Sequence, residues 1–242
     1  MRKSHLTKKA VLFALISALV LGLCACESGA FAGMFGGQAQ AGSGGHPGSM
    51  KDLAIVIDPG HGGEDRGAQG VGGASEDALN LQVAKLLQER LVAQGVKVTM
   101  TRTTELVDYS GEGDTPKMKD MNNRAKMFAA ADPDAIISIH MNSCDAPEVY
   151  GAETYYWKDN GEGKKLAQHI QKALVAGMPV KSPRKTRAGD YFVLHAVDAP
   201  STLVECGFLS NAEEEKRLQQ AEYQEKLADC IVQGVRDYFG IK

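Results

Sequence analysis

One stretch near residue 60 constrains the fold more than any other. Residues 55 to 58 are Ile-Val-Ile-Asp, and they run directly into Pro59 and the glycine-rich sequence Gly-His-Gly-Gly. Apolar, β-branched residues that stop abruptly at a proline and a glycine predict a buried strand. The glycines allow the backbone to pass close to whatever His61 contacts. A histidine in such a turn is either a hydrogen-bonded loop residue or a ligand, and this stretch alone leaves both interpretations open.

The same pattern occurs twice more along the chain. Residues 135 to 143 predict a second buried strand, which finishes on His140 and a polar cluster. Residues 201 to 211 contain an apolar strand, then Glu205, then a turn. Further strands are predicted at 96 to 101, 151 to 157 and 191 to 194, a loop at 103 to 120, and helices at 77 to 94, 121 to 131, 162 to 176, 213 to 219 and 223 to 239. Strands that alternate with helices predict a single α/β domain, a mostly parallel twisted sheet with helices on both faces.

In such folds, ligands gather at the carboxyl ends of the strands. We expect His61, His140 and Glu205 at or just past such ends, and Glu76 on the loop that leaves the first strand. Glu76 also stands at the entrance of the predicted helix 77 to 94, where a carboxylate is favoured by the helix dipole, so a capping role is the alternative for this residue. The convergence of these four residues predicts one shared site.

The chemistry of this set points to zinc. Two imidazoles and one carboxylate with an open fourth position make a catalytic zinc site, whereas structural zinc is usually closed by four protein ligands. A second carboxylate, not bound to metal, would take the proton of the attacking water and deliver it to the leaving amine. Glu205 is our candidate for that role, and Glu76 for the ligand. On spacing alone, the two glutamates could be exchanged.

Composition excludes some classes of function. The formal charge of -3, from 27 basic and 30 acidic residues, gives no basic stripe for nucleic acid. An aromatic content of 6% argues against a stacking surface for bases or sugars. Outside the N-terminal segment the cysteines are Cys144, Cys206 and Cys230, none in a CxxC spacing, and we expect all three to be small buried apolar residues.

The N-terminal segment predicts export. Basic residues within the first nine positions precede an apolar run from 10 to 23, the arrangement of a signal peptide. The sequence Leu-Cys-Ala-Cys at 23 to 26 resembles a lipobox, which would make Cys26 the site of a lipid anchor to the membrane. An ordinary cleaved signal peptide and an uncleaved anchor are the alternatives. We therefore divide the chain into a signal peptide with a lipobox at 1 to 26, a flexible linker rich in Gly, Ser and Ala at 27 to 50, and a catalytic domain at 51 to 242.

Four blocks of the domain resemble the signatures of the zinc-dependent N-acetylmuramoyl-L-alanine amidases of the amidase_3 type. They are residues 56 to 63 (VIDPGHGG), 65 to 68 (DRGA), 138 to 143 (SIHMNS) and 204 to 211 (VECGFLSN). The resemblance implies one Zn²⁺ held by His61, Glu76 and His140, with Glu205 as the catalytic glutamate. The implied reaction is hydrolysis of the amide between N-acetylmuramic acid and L-alanine of the stem peptide in peptidoglycan.

The stretch from 190 to 211 is also similar to the branch of this family that acts on spore cortex. Candidate substrate-binding residues are Asn142, His195 and Arg187. For His195 the alternative is a hydrogen-bonded histidine at a strand end, and for the basic loop of 181 to 187 the alternative is a solvated loop. We expect a monomer that acts outside the cytoplasm on peptidoglycan. Two other functions stay open: a wall-binding module without catalysis, and a zinc peptidase that cuts within the stem peptide.

Overall fold

The computed structural model describes residues 48 to 178 and 181 to 242. Residues 1 to 47 lie outside the described residues, and with them the predicted signal peptide, lipobox and nearly all of the linker. Within the described residues, one sheet is built from six strands: β1 (Ala54–Pro59), β2 (Lys97–Met100), β3 (Ala135–Asn142), β4 (Glu153–Tyr156), β5 (Arg187–Ala188) and β6 (Ser201–Phe208). The strand order is β2-β1-β3-β6-β4-β5, and only the β4–β6 pairing is antiparallel. The predicted, mostly parallel sheet is therefore confirmed.

Helices cover both faces of this sheet, as predicted. The described helices are α1 (Glu76–Ala93), α2 (Pro116–Ala131), α3 (Gly161–Gly177), α4 (Ala212–Leu218) and α5 (Ala221–Phe239). Successive side chains of β1 point to opposite faces of the sheet. Ile55 and Ile57 join the larger core under α1, α3 and α5, whereas Val56 joins a smaller core with Phe128 of α2.

The start of α2 lies further upstream than the sequence predicted. We expected a loop up to residue 120, but the helix begins at Pro116. The hydroxyl of Thr115 accepts a hydrogen bond from the backbone N–H of Met118, and proline is well suited to the first helical position. This cap and the proline together account for the additional turn of helix.

The strand predicted at 191 to 194 is wrong. Residues Phe192–Leu194 form a 3₁₀ helix, and the short strand of this region is β5, which pairs with β4. Val193 and Leu194 are both buried against the smaller core. A strand would point consecutive side chains to opposite faces, so burying both on one side requires the tighter turn.

The cysteine prediction is confirmed at two of three positions. Cys206 and Cys230 are buried thiols, but Cys144 is exposed. Cys144 follows the end of β3, where the chain has already left the sheet. The expectation of a third buried thiol was therefore wrong.

Candidate metal centre

The loop after β1 turns sharply at His61. Its φ angle is 61°, in the left-handed region that disfavours a residue with a Cβ by about 1–2 kcal/mol, and Gly62 and Gly63 that follow also have positive φ. The turn is closed by hydrogen bonds in both directions between the backbones of Gly62 and Asp65. The left-handed conformation of His61 is therefore held by the turn that follows it.

A buried arginine of α2 supports this turn from below. Arg124 donates from Nη1 to Oδ1 of Asp58 (2.6 Å) and to the carbonyl of Pro59 (2.9 Å), and from Nη2 to the carbonyl of His61 (2.8 Å). Its Nε donates to Asp120. Burial alone would lower the pKa of Arg124, but the two aspartates outweigh burial and raise it. The guanidinium is therefore a fixed positive charge beneath the loop.

A second arginine joins the same loop to α1. Arg102, which is buried, donates to the carbonyls of Pro59 (3.0 Å), Gly60 (2.8 Å) and Asp77 (2.8 Å). Asp77 is in the first turn of α1, directly after Glu76. The end of β1 and the start of α1 are thus tied to one side chain.

Glu76 is held by backbone groups on both carboxylate oxygens. Oε2 accepts from the N–H of Ala68 (2.7 Å), whose carbonyl accepts in turn from the N–H of Glu76 (3.0 Å). Oε1 accepts from the N–H of Met141 (3.2 Å). Burial would raise the pKa of Glu76, but His140 and His61 outweigh it and hold the pKa well below its usual range. The side chain is therefore an ionised carboxylate that is aimed at the sheet.

His140 and Glu205 are placed by the sheet itself. They are register partners on the neighbouring strands β3 and β6, and Glu153 of β4 is the register partner of Glu205 on the other side. In-register neighbours point to the same face, so these three side chains share one side of the sheet. The β3–β6 register shifts between His140 and Asn142, a bulge beside the site. Bulges commonly re-aim side chains next to active sites.

The two histidines and Glu76 form one cluster. His61 Nε2 lies 3.2 Å, and His140 Nδ1 3.0 Å, from Oε1 of Glu76. One ligand atom from each of the three residues fits within a span of 4.8 Å. The ligand bonds of a tetrahedral zinc site, about 2.0–2.2 Å long, separate neighbouring donor atoms by roughly 3.3–3.5 Å. This donor set therefore matches a zinc centre in chemistry and in scale.

Two glycines leave the space in which the cluster sits. A Cβ added at Gly60 would lie 2.1 Å from Nε2 of His140. A Cβ at Gly67, where φ is +67°, would lie 2.4 Å from Oε2 of Glu76 and 2.8 Å from the ring of His61. Any side chain at either position would displace a residue of the cluster, so the glycines of the sequence motif have a steric function here.

Glu205 lies buried beside the cluster. Among the described residues, its Oε2 is buried and has no hydrogen-bond partner. Burial raises the pKa of Glu205 well above its usual value, and the nearby carboxylates of Glu76 and Glu153 add to the effect. An unpartnered buried carboxyl group is costly, about 1–3 kcal/mol or more, and such groups concentrate at functional sites.

Asp65 is a residue to which the sequence analysis gave no role. Its Oδ1 lies 2.9 Å from Nδ1 of His61, although the two groups are not aligned as a hydrogen bond. Its Oδ2 accepts from Nζ of Lys117 in α2 (2.6 Å). Burial alone would lower the pKa of His61, but the contacts with Asp65 and Glu76 raise it to about 9. Asp65 could have been found from the sequence, because a carboxylate four residues after His61 in a glycine-rich turn can reach the imidazole.

A cavity of about 210 Å³ lies next to this loop, lined by Glu64, Asp65, Tyr109, Pro116, Lys117 and Asp120. The hydroxyl of Tyr109 accepts from the N–H of Glu64 (2.9 Å) and lies 3.3 Å from the carbonyl of Gly62. Asp65 therefore contacts His61 and also lines open volume on the α2 side.

The predicted substrate-binding residues divide into two places. Asn142 donates to Oε1 of Glu153 (3.0 Å), and Arg187 lies 3.9 Å from Oε2 of Glu153, so both are close to the strand neighbour of Glu205. His195 follows the 3₁₀ helix instead. Its ring is 4.7 Å from that of Trp157, and its Nε2 is 3.2 Å from Asp190.

Comparison with known proteins agrees with this geometry. The family model described as Amidase_3, N-acetylmuramoyl-L-alanine amidase, matches residues 55 to 237. The chain belongs to the amidase_3 family. Its curated relatives include the germination-specific N-acetylmuramoyl-L-alanine amidase of Bacillus subtilis, 34% identical over 189 residues, which are 76% of this chain and 79% of that protein.

Solved amidase structures have the same fold. The CwlD amidase from Clostridioides difficile, in complex with the GerS lipoprotein, aligns with a TM-score of 0.75 at 32% identity, covering 78% of this chain and 100% of that chain. The amidase AmiC2 of Nostoc punctiforme aligns with a TM-score of 0.69 at 34% identity, covering 80% and 99%. The protein is therefore an N-acetylmuramoyl-L-alanine amidase, an enzyme of peptidoglycan.

The family also bears on location. Peptidoglycan amidases act on the cell wall, so membership indicates an extracytoplasmic protein. Within residues 48 to 178 and 181 to 242, none of the helices has the length and apolarity needed to cross a membrane.

Proposed function

We propose that this amidase hydrolyses the bond between N-acetylmuramic acid and L-alanine with one zinc ion held by His61, Glu76 and His140. The observation that carries the proposal is the arrangement of the three donor groups, within 4.8 Å of one another, next to a buried carboxyl group of Glu205 that has an unpartnered oxygen. When bound, zinc supplies a nucleophile at neutral pH by lowering the pKa of a coordinated water from about 15.7 to about 7.

Glu205 is the residue that we assign to proton transfer. Its raised pKa suits a group that accepts a proton from water and then donates one to the leaving amine of L-alanine. The register of β3 and β6 places it beside His140, so it adjoins the ligands without being one of the three donors that cluster. Glu76 serves as ligand because the two imidazoles both lie against its Oε1.

The substrate contacts are assigned to the side of the site near β4 and β5. Arg187 has a side chain that is 59% exposed, so its guanidinium can reach a carboxylate of the stem peptide. Arg184 is committed elsewhere, because its Nε donates to Glu153 (2.7 Å). Asn142 offers its amide next to Glu153. His195 lies in a separate place, with Nε2 3.2 Å from Asp190 and its ring against Trp157. These three residues stay as candidates for binding the glycan or peptide.

The domain organisation predicted from sequence completes the proposal. We propose that residues 1 to 26 direct export and that residues 51 to 242 are a monomeric catalytic domain. Of the linker predicted at 27 to 50, Met50 is buried in the larger core and belongs to the domain. Lipidation of Cys26 would hold the enzyme at the membrane, and mass spectrometry of the mature N-terminus tests this. The named germination-specific relative and the CwlD neighbour, which was solved with a lipoprotein, support a role in spore cortex.

The decisive experiment is analysis of the products from purified peptidoglycan. We expect glycan strands with free lactyl carboxyl groups and stem peptides with free L-alanine amino termini. Chelation should abolish their release, and added zinc should restore it. Cleavage between amino acids would identify a zinc peptidase instead. Binding to the wall with no product at all would identify a binding module.

A further inference from the structure

Three consecutive glutamates at the start of α4 have three different environments. Glu213 is exposed and forms an ion pair with Lys216, whereas Glu214 and Glu215 are only 4% and 2% exposed. Two adjacent carboxylates on a helix rarely face inward together, since buried acids must be paired or hydrogen-bonded. The helix directly follows β6, the strand that carries Glu205. The hydrogen-bond partners of Glu214 and Glu215 therefore show which segments around the site this helix holds in place.

Glu215 binds the backbone of the loop that leads to Glu76. Its Oε2 accepts from the N–H of Gly72 (2.6 Å), and its Oε1 accepts from the N–H of Ala74 (3.0 Å). Glu214 serves different segments, because its carboxylate accepts from the N–H groups of Gly151 and Phe208. Neighbouring residues of one helix thus hold different parts of the structure.

The loop from 70 to 74 is shaped around this carboxylate. It folds back on itself, with the N–H of Gly70 donating to the carbonyl of Ala74 (2.8 Å). The N–H of Val71 also donates to the carbonyl of Leu209, the residue directly after β6 (3.2 Å). A Cβ added at Gly70 would lie 2.2 Å from Oε1 of Glu215. The glycine therefore provides the room that lets the loop close on the carboxylate.

We propose that Glu215 is a positioning residue, which clamps residues 70 to 74 and thereby fixes Glu76 for metal binding. The inference rests on the proposed role of Glu76 as a zinc ligand. Only Ser75 separates Glu76 from the clamped loop. Movement of the loop backbone would therefore move the Glu76 carboxylate as well. Glu215 lies in α4, which directly follows β6. The same part of the chain therefore positions both Glu76, through the loop, and Glu205, which is in β6. Hydrogen bonds from backbone N–H groups to a carboxylate are charge-assisted and stronger than those between neutral groups.

The test compares Glu215→Gln with Glu213→Gln. A carboxamide has one acceptor oxygen, and its NH₂ group would face the second backbone N–H, so Glu215→Gln breaks the clamp at nearly constant volume. Loss of a group that orients a ligand typically weakens metal binding by about 10–100-fold. We expect that loss in the zinc Kd, measured by competition with a chelator. We also expect faster amide hydrogen exchange at 70 to 76. The exposed neighbour Glu213→Gln should change neither quantity.

A second variant attacks the clamp from the loop side. Gly70→Ala would place its methyl group against the carboxylate of Glu215, so it should reproduce both effects in a chain that keeps all three glutamates. Glu214→Gln should instead increase exchange near 151 and 208. These comparisons distinguish the clamp from a general loosening of α4.

Several outcomes would overturn the proposal. A zinc Kd within twofold of the wild type in folded Glu215→Gln and Gly70→Ala would show that the loop does not position the ligand, even with faster exchange. Unchanged exchange at 70 to 76 would show that no clamp exists, and failure of both variants to fold would make the role of Glu215 structural. If the wild type itself bound no zinc, the proposed function would fail, and exchange alone would still decide whether Glu215 holds the loop.

Discussion

The four central residues are held in two different ways. His140 and Glu205 are register partners on adjacent parallel strands, so the hydrogen bonds of the sheet place them side by side. His61 and Glu76 stand at the two ends of a loop. His61 has a φ of 61°, and the backbone of this region is held by side chains from α2, α4 and the segment after β2.

The difference shows where each half of the site is vulnerable. A strand residue depends mainly on its own side chain, because the ladder that positions it has many equivalent bonds. A loop residue depends on a few specific supports, and here they are distant in sequence, such as Arg124 and Glu215. We therefore expect remote substitutions to displace His61 and Glu76, which stand on the loop, more than His140 and Glu205, which stand on the strands.

The largest effects, on catalysis and on zinc binding, are expected from two single variants: Glu205→Gln on a strand and Glu76→Gln on the loop. Glu205→Gln should reduce kcat by roughly 10²–10⁴-fold, the usual contribution of a general acid–base, while zinc binding persists. Glu76→Gln should lose zinc, because it removes the anionic oxygen that both histidines contact. Steady-state kinetics and metal analysis of the purified variants check both statements. If Glu205→Gln lost the metal and Glu76→Gln kept it, the two roles would have to be exchanged.

Arg124→Met should produce the next largest effect, this time on stability. The variant leaves the buried carboxylate of Asp58 without its cation and removes a donor from the carbonyl of His61. Breaking a buried pair by removing one partner costs about 3–5 kcal/mol, measurable by urea unfolding. Arg90→Met is the matched control, since it removes a partly exposed pair with Asp229 worth about 0–1 kcal/mol. Equal costs for the two variants would contradict the supporting role of Arg124.

The ion pair between Asp58 and Arg124 should make the free energy of unfolding depend on pH. Burial would raise the pKa of Asp58, but Arg124 and the hydroxyls of Ser138 and Thr101 outweigh burial and hold the pKa below its usual value. A carboxyl group with a depressed folded pKa adds stability above its unfolded pKa of about 3.9, and this stability is lost as the pH falls through the folded pKa. We expect Asp58→Asn to cost about 1–3 kcal/mol at pH 7. The gap to the wild type should narrow in acid, and a gap independent of pH would contradict this reasoning.

The same contrast explains what could be predicted from sequence. The strands that carry His140 and Glu205 were predictable because apolar runs that stop at polar residues mark strand ends, and parallel strands bring such ends together. His61 and Glu76 were predictable as candidates, because the glycine pattern and the helix start mark them. The residues that hold His61 and Glu76 in place could not be predicted from the sequence. Arg102 and Arg124 resemble ordinary surface cations in sequence, and only the fold shows that they are buried against carbonyl groups of the loop.

The smallest effects concern the orientation of His61. Asp65→Ala removes the carboxylate that lies 2.9 Å from Nδ1, and loss of such an orienting partner should weaken zinc binding by about 10–100-fold. Lys117→Met removes only the exposed cation on the other side of Asp65, so it should change the zinc Kd by no more than about fivefold, equivalent to an exposed pair of up to 1 kcal/mol. Chelator competition measures both values. If Lys117→Met matched Asp65→Ala, the anchoring of Asp65 to α2 would matter more than its contact with the imidazole, and the loop would depend on remote support even for the rotation of its histidine.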